Sequence, residues 1–235
     1  MQLNPFSSRF TNPNDCQFVP FRQVADGESS DEISVAKLAE NFIGLKNCAQ
    51  IVGPHGCGKS TLAMAVARCL LESTELEPQI NVRSLIIRSA NDKQSVARVG
   101  RLQVHETDVS NRTCHKYRTG RISTGSPTRQ MLLVDGFELL SPLNQKLMRR
   151  QLAANRQYLL LTTHRRLRGI PVLANLQPQL DHFTRIVEQL LSGSECGITQ
   201  KELTDAFEAC RGDYRLALRA LYDSVQLSPL ITCST

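Results

Sequence analysis

The run Gly53-Pro-His-Gly-Cys-Gly-Lys-Ser60 constrains this chain more than any other feature. It fits the pattern G-x-x-x-x-G-K-[ST] without a mismatch. It lies between a short apolar run, Cys48-Ala-Gln-Ile-Val52, and a stretch of helical composition, Thr61–Leu71. A strand that ends in a glycine-rich turn and passes at once into a helix makes a cradle for an anion. The glycines let backbone N–H groups curl round a phosphate chain, and the helix N-terminus adds the positive end of its dipole. Lys59 can reach the β- and γ-phosphates of a nucleoside triphosphate, and the Ser60 hydroxyl can ligate Mg²⁺. Gly53, Pro54, His55, Gly56, Cys57, Gly58, Lys59, Ser60 and Thr61 are therefore the expected ATP-binding residues. Cys57 stands at a helix N-terminus, where a thiol can become reactive, but its simpler role is a small residue at a permissive position.

Two further apolar runs end in polar tips. Met131-Leu-Leu-Val-Asp135 delivers one carboxylate from a buried strand, and with Ser60 it is the expected Mg²⁺ site. Glu138, three residues on, is the acid near enough in sequence to orient an attacking water as a general base. Many hydrolytic proteins of this kind carry that glutamate directly after the aspartate, where this chain has Gly136. Tyr158-Leu-Leu-Leu-Thr162-Thr163-His164 ends in hydroxyls and an imidazole suited to sensing a γ-phosphate. Thr163 is the favoured residue, with Thr162 and His164 as its alternatives. Arg165, Arg166 and Arg168 follow and read as a solvated loop, with a finger aimed at a neighbouring subunit's nucleotide as the alternative.

The remaining pattern is of strands alternating with helices. Residues 1–30 read as an extended arm whose Phe6, Phe10, Phe18 and Phe21 can pin it to a core. Residues 33–43 carry a helical stripe, and Val82–Ile87 and Ile170–Leu173 read as strands. A helix is expected from a Ser141 cap with Pro142 at its first position to about Ala154. Beyond residue 179 the pattern is helical, over 180–191, 200–210 and 213–225. This alternation predicts an α/β fold, a mainly parallel sheet covered on both faces, followed by a helical appendage. The expected organisation is an arm over 1–30, a core over 31–177 and a helical lid over 178–235.

Charge singles out one segment. Residues 88–130 hold nine Lys/Arg against three Asp/Glu, which equals the whole net charge of +6. With no periodicity and several Gly and Pro, they read as a basic insertion in the core. Such a loop can bind DNA or RNA through phosphate contacts, or simply be a solvated insertion. Tyr117 is its one aromatic residue, so stacking on bases is not supported. Elsewhere composition mostly excludes. With 41% hydrophobic and 21% charged residues, general disorder is not expected. No apolar run approaches the roughly 18 residues of a membrane span. The start MQLNPFSSRFTNPND lacks a secretory pattern, and eight scattered cysteines without a CxxC read as reduced thiols. A cytoplasmic protein without a membrane span is expected. Cys114 and His115 with His105 lack the second close pair a metal site would need.

The order of these motifs resembles the additional-strand P-loop NTPases, particularly the AAA+ group. Gly212-Asp-Tyr-Arg215-Leu-Ala-Leu218 is similar to the second-sensor motif of AAA+ lids. The resemblance implies a three-layer α/β/α core with a five-stranded sheet ordered 5-1-4-3-2 and a small C-terminal helical lid. It also implies that Arg215 is aimed at the γ-phosphate. The segments NPFSSRF, IVGPHGCGKSTL, LLVDGFELL, LLLTTHR and LRALYD also resemble a group of uncharacterised bacterial ATP-binding proteins. The implied activity is Mg-dependent ATP binding with slow hydrolysis coupled to motion of the lid or of an unknown protein partner. The alternatives are a small-molecule phosphotransferase and a non-hydrolysing, nucleotide-gated adaptor for nucleic acid or protein.

Overall fold

In a computed structural model, residues 4–7, 18–20, 34–45, 48–72, 80–87, 129–192 and 197–227 are described. The apolar runs become strands β1 (Cys48–Val52), β2 (Ile80–Ile86), β3 (Arg129–Asp135), β4 (Tyr158–Thr163) and β5 (Val172–Asn175). They form one sheet in the order β2-β3-β4-β1-β5, and every neighbouring pair is parallel. Read from the β5 edge, this is the expected 5-1-4-3-2 arrangement. All six residues of β4 are buried, as a central parallel strand covered on both faces requires.

The helices on the two faces follow from the alternation of side chains along the strands. Helix α1 (Val35–Gly44) and helix α2 (Lys59–Glu72) lie on one face. There Phe42, Leu62 and Val66 pack with Ile51, Met131 and Leu160. Helix α3 (Pro142–Ala154) covers the other, where Met148 and Leu152 meet Val134, Leu159 and Leu161. Leu160 and its neighbours Leu159 and Leu161 thus serve opposite layers. The Ser141 side chain caps α3 by accepting from the Asn144 N–H, with Pro142 in the first turn, as its sequence predicts.

Helices α4 (Leu180–Leu191), α5 (Gln200–Ala209) and α6 (Tyr214–Leu227) bury a separate cluster built on Phe183, Val187, Leu203, Tyr214 and Leu221. A capping box between Thr199 and Glu202 starts α5. Phe6 is buried in this same cluster, and the Asn4 side-chain amide donates to the Tyr222 carbonyl at 3.0 Å. Phe18 packs instead against the sheet core, while the next carbonyl, of Val19, accepts from His182 Nε2 at 3.0 Å. Two of the four arm aromatics are thereby anchored, while Phe10 and Phe21 lie outside the described residues.

Several boundaries differ from expectation. β5 starts at Val172 and not at Ile170, because Pro171 has no N–H to give; its carbonyl accepts from the Gln50 N–H, and Ile170 turns into the second core. β3 begins at Arg129, inside the segment set apart by its charge. The rest of that basic segment, residues 88–128, lies outside the described residues, as do Cys114, His115 and His105. Among the described residues no helix is long and apolar enough to cross a membrane.

Candidate functional site

Parallel pairing brings three polar strand ends to one edge of the sheet. Val52 stands opposite Thr163 across β1 and β4, and Asp135 opposite Thr162 across β3 and β4. The loop after β1 therefore opens beside the tips of β3 and β4, the crevice where open parallel sheets hold their ligands.

The loop's glycines answer to specific constraints. Gly56 and Gly58 have φ of +68° and +88°, the left-handed region that side chains avoid. At Gly53 an added Cβ would come within 2.7 Å of both Cys57 Sγ and the Leu176 carbonyl. Cys57 is buried, its thiol donates to the Pro54 carbonyl at 3.1 Å, and burial raises its pKa. It fits the role of a packed small residue and not of an activated thiol. Pro54 and His55 are exposed, and Thr61 continues into the first turn of α2.

Lys59 opens α2 with its side chain largely withdrawn from solvent and its ammonium donating to the Pro54 carbonyl. Burial pushes its pKa down, against the pull of Cys57, Asp135 and Glu138, and the positive charge of Arg215 lowers it further. An ammonium so placed is short of negative partners, the state a phosphate would relieve.

Asp135 is the centre of a hydroxyl–carboxylate cluster. Ser60 Oγ donates to its Oδ2 at 3.0 Å and Thr162 Oγ1 to its Oδ1 at 2.5 Å. Ser60 and Asp135 lie within hydrogen-bond reach of one another, so one Mg²⁺ ion could take the hydroxyl directly and the carboxylate through a bound water. Hard oxygen donors, few in number, are also the chemistry Mg²⁺ takes when phosphates and waters complete its shell. Among the described residues no group of three His, Cys, Asp or Glu gathers as a metal site.

Thr163 does not join this cluster. Its side chain is fully buried and donates to Gln50 Oε1 at 3.3 Å, on the side of the sheet away from Asp135. Alternation along β4 decides this: if Thr162 meets Asp135, Thr163 must face the other way. Thr162, and not Thr163, is therefore the β4 hydroxyl beside Asp135.

Glu138 is brought back to the site by a 3-10 turn, Phe137–Leu139. Gly136 has φ of +78°, and a Cβ there would stand 2.4 Å from the Ile87 carbonyl, so no glutamate fits directly after Asp135. Phe137 is fully buried and fixes the turn. Glu138 Oε1 then accepts from the His164 N–H at 3.0 Å and from His164 Nδ1 at 2.5 Å, and Oε2 is buried with no hydrogen-bond partner among the described residues. The His164 ring lies on the ring of His55, centroids 3.7 Å apart.

The C-terminal helices contribute from the opposite side. Arg211 and Gly212 take positive φ between α5 and α6, and a Cβ on Gly212 would meet Pro178 at 2.7 Å. This turn sets Asp213, whose Oδ1 accepts from the Leu216 N–H, directly over the phosphate loop: a Cβ at Gly56 would lie 1.9 Å from that same oxygen. Arg215 follows in the first turn of α6, solvent-exposed, with its charge felt at Lys59. Sequence reasoning missed Asp213 as a site residue, because nothing in the sequence tells that the loops of Gly56 and Gly212 touch.

No protein-family model matches the chain, and no curated protein matches it. Solved structures do. Domain III of the Thermotoga maritima replication initiation protein DnaA aligns with a TM-score of 0.50 at 16% identity, over 80% of this chain and 78% of that one. The Aeropyrum pernix ORC1 protein, solved in complex with DNA, aligns with a TM-score of 0.54 at 18% identity, over 82% of this chain and 58% of that one. What the chain shares with these two proteins is the fold, a parallel sheet in the order β2-β3-β4-β1-β5 covered by helices on both faces. At these identities the likeness carries no activity, and chemistry has to come from the residues of this chain itself.

Proposed function

We propose that the chain binds ATP with Mg²⁺ at the loop Gly53–Ser60 and hydrolyses it slowly, with the C-terminal helices moving with nucleotide state. The observation that carries this reading is the Ser60–Asp135–Thr162 cluster beside a desolvated Lys59, with a second carboxylate, Glu138, one turn away. Lys59 exchanges the Pro54 carbonyl for the β- and γ-phosphate oxygens, and the loop N–H groups hold the chain of phosphates. Ser60 and Asp135 would hold Mg²⁺, which supplies charge neutralisation on the phosphates. Thr162 keeps the Asp135 carboxylate oriented.

Hydrolysis then falls to Glu138. It takes a proton from a water whose oxygen bonds to the γ-phosphorus, while the bond to the β–γ bridging oxygen breaks and ADP leaves with the electron pair. The proton passes on to the released phosphate. Arg215, carried on α6, supports the γ-phosphate charge from the far side and links nucleotide state to the helices. The narrower likeness to bacterial ATP-binding proteins rests on the five sequence segments quoted above. A nucleic-acid partner for the basic segment 88–130 is favoured by its charge, and the ORC1 protein of like fold was solved with DNA.

Phosphate release from ATP, measured alone, with DNA or RNA and with small acceptors, tests the reading. Parent protein is expected to release phosphate without an acceptor, and Glu138→Gln to keep ATP while losing turnover by about 10²–10⁴-fold, the range for a general base. Phosphate transfer only when an acceptor is present would make the chain a phosphotransferase. Tight ATP binding without turnover would make it a nucleotide-gated adaptor.

A further inference from the structure

Glu138 is held in an asymmetric way that a surface or purely structural glutamate does not need. One oxygen, Oε1, takes both the backbone N–H of His164 and the ring Nδ1, while Oε2 stays buried and unpartnered among the described residues. A buried carboxylate oxygen without a donor is costly unless something arrives to use it. With Glu138 ionised, as a base requires, Oε1 only accepts and Nδ1 is the atom that donates. The ring also rests against that of His55, a residue of the phosphate loop itself, with centroids 3.7 Å apart and planes tilted by 34°. His164 is half-buried and His55 exposed, so this pair lies at the mouth of the site and outside the hydrophobic core.

We propose that His164 is the positioning residue for the base: it anchors Glu138 through Oε1 so that Oε2 is the atom that takes the proton from water, and its stacking on His55 ties that orientation to the phosphate loop. The proposal rests on the ATPase reading above. His164 itself touches neither nucleotide nor water in this scheme and acts through Glu138. Its backbone N–H survives every substitution but proline, so the ring contributes one of two anchors, and its loss loosens the carboxylate without releasing it. The expected loss is in kcat and not in KM, because the His164 ring acts on the base and holds no phosphate.

The test is steady-state ATP turnover for the parent, Glu138→Gln, His164→Ala, His164→Asn, and His164→Ala combined with Glu138→Gln, with ATP affinity measured for each. An asparagine places its amide Nδ2 near the position of Nδ1 and can donate the same hydrogen bond. We expect His164→Ala to lower kcat about 10–100-fold with KM unchanged within about two-fold, a positioning loss smaller than loss of the base itself. His164→Asn should recover most of that loss. In the Glu138→Gln background His164→Ala should have no further effect, which a general packing defect would not give. If His164→Ala turns over like the parent while Glu138→Gln is inactive, or if its defect persists in the double variant, the positioning role is overturned and the ATPase reading stands. If the parent does not turn over, or Glu138→Gln turns over like the parent, the reading of Glu138 as base fails and the role of His164 fails with it.

Discussion

Asp135 accepts from hydroxyls that originate on two different elements, Ser60 at the start of α2 and Thr162 at the end of β4. Both were legible as types in the sequence, Ser60 through its motif and Thr162 through its place at a strand tip. What decided between Thr162 and Thr163 was the phase of β4, and a run of three leucines followed by two threonines carries no phase of its own. Gln50 shows the complementary case. It is a fully buried amide that donates to the Leu167 and Ile170 carbonyls and accepts from the Leu167 N–H, fixing the loop after β4, yet in the sequence it is one polar residue in an apolar run. Lys59 carries the energetic signature of a binding residue. Since burial is the first cause of its lowered pKa, the protonated side chain costs the fold stability in the absence of a ligand. Lys59→Met, which keeps the stem and removes the charge, should raise the melting temperature of the ligand-free protein. The expected rise is about 2–4 °C for each kcal/mol relieved in a chain of this size. A lower melting temperature, by calorimetry, would mean that the ammonium is a net structural support.

Elements with a strong period or a clear cap were read with small error, as Pro142–Ala154 and Leu180–Leu191 show. The boundary of β5 was not, because Ile170-Pro171 continues the apolar run while Pro171 has no N–H for the ladder. The docking of the arm was anticipated in kind, since aromatic residues in a polar segment need apolar surface, but not in place: Phe6 goes to the C-terminal helices and Phe18 to the sheet core. His182 sits at that junction, bonded to the Val19 carbonyl and in contact with the Tyr214 hydroxyl at 3.3 Å. Burial is the main cause lowering its pKa; the Val19 bond opposes this and Arg185 adds to it. Burial also pushes the Tyr214 hydroxyl up to about 12, so that group stays neutral throughout. A histidine held neutral in the fold takes up its proton more readily when unfolded. Its contribution is therefore fully present above the ordinary value of 6.5 and is lost as pH falls through the lower folded value. His182→Gln, which can still donate to Val19, should flatten the fall in melting temperature between about pH 6.5 and pH 5. An unchanged slope across that interval would remove His182 from the acid response.

At the scale of the molecule, the strand order and the two-faced covering of the sheet follow from alternation of apolar strands and helices, and the phosphate-loop motif fixes which edge of the sheet carries the site. The approach of Asp213 to that edge does not follow from alternation; it needs the left-handed turn at Arg211 and Gly212 to bring the start of α6 back to Gly56. The whole arrangement has meaning only if the edge holds a triphosphate. Equilibrium binding of ATP in the presence and absence of Mg²⁺, to the parent and to Lys59→Met, measures this most directly. The parent should bind saturably and more tightly with Mg²⁺, and Lys59→Met should lose about 10–100-fold in affinity, as expected for removing a charge-assisted contact, while staying folded. Equal affinity in the two proteins, or no saturable binding to the parent, would contradict the account.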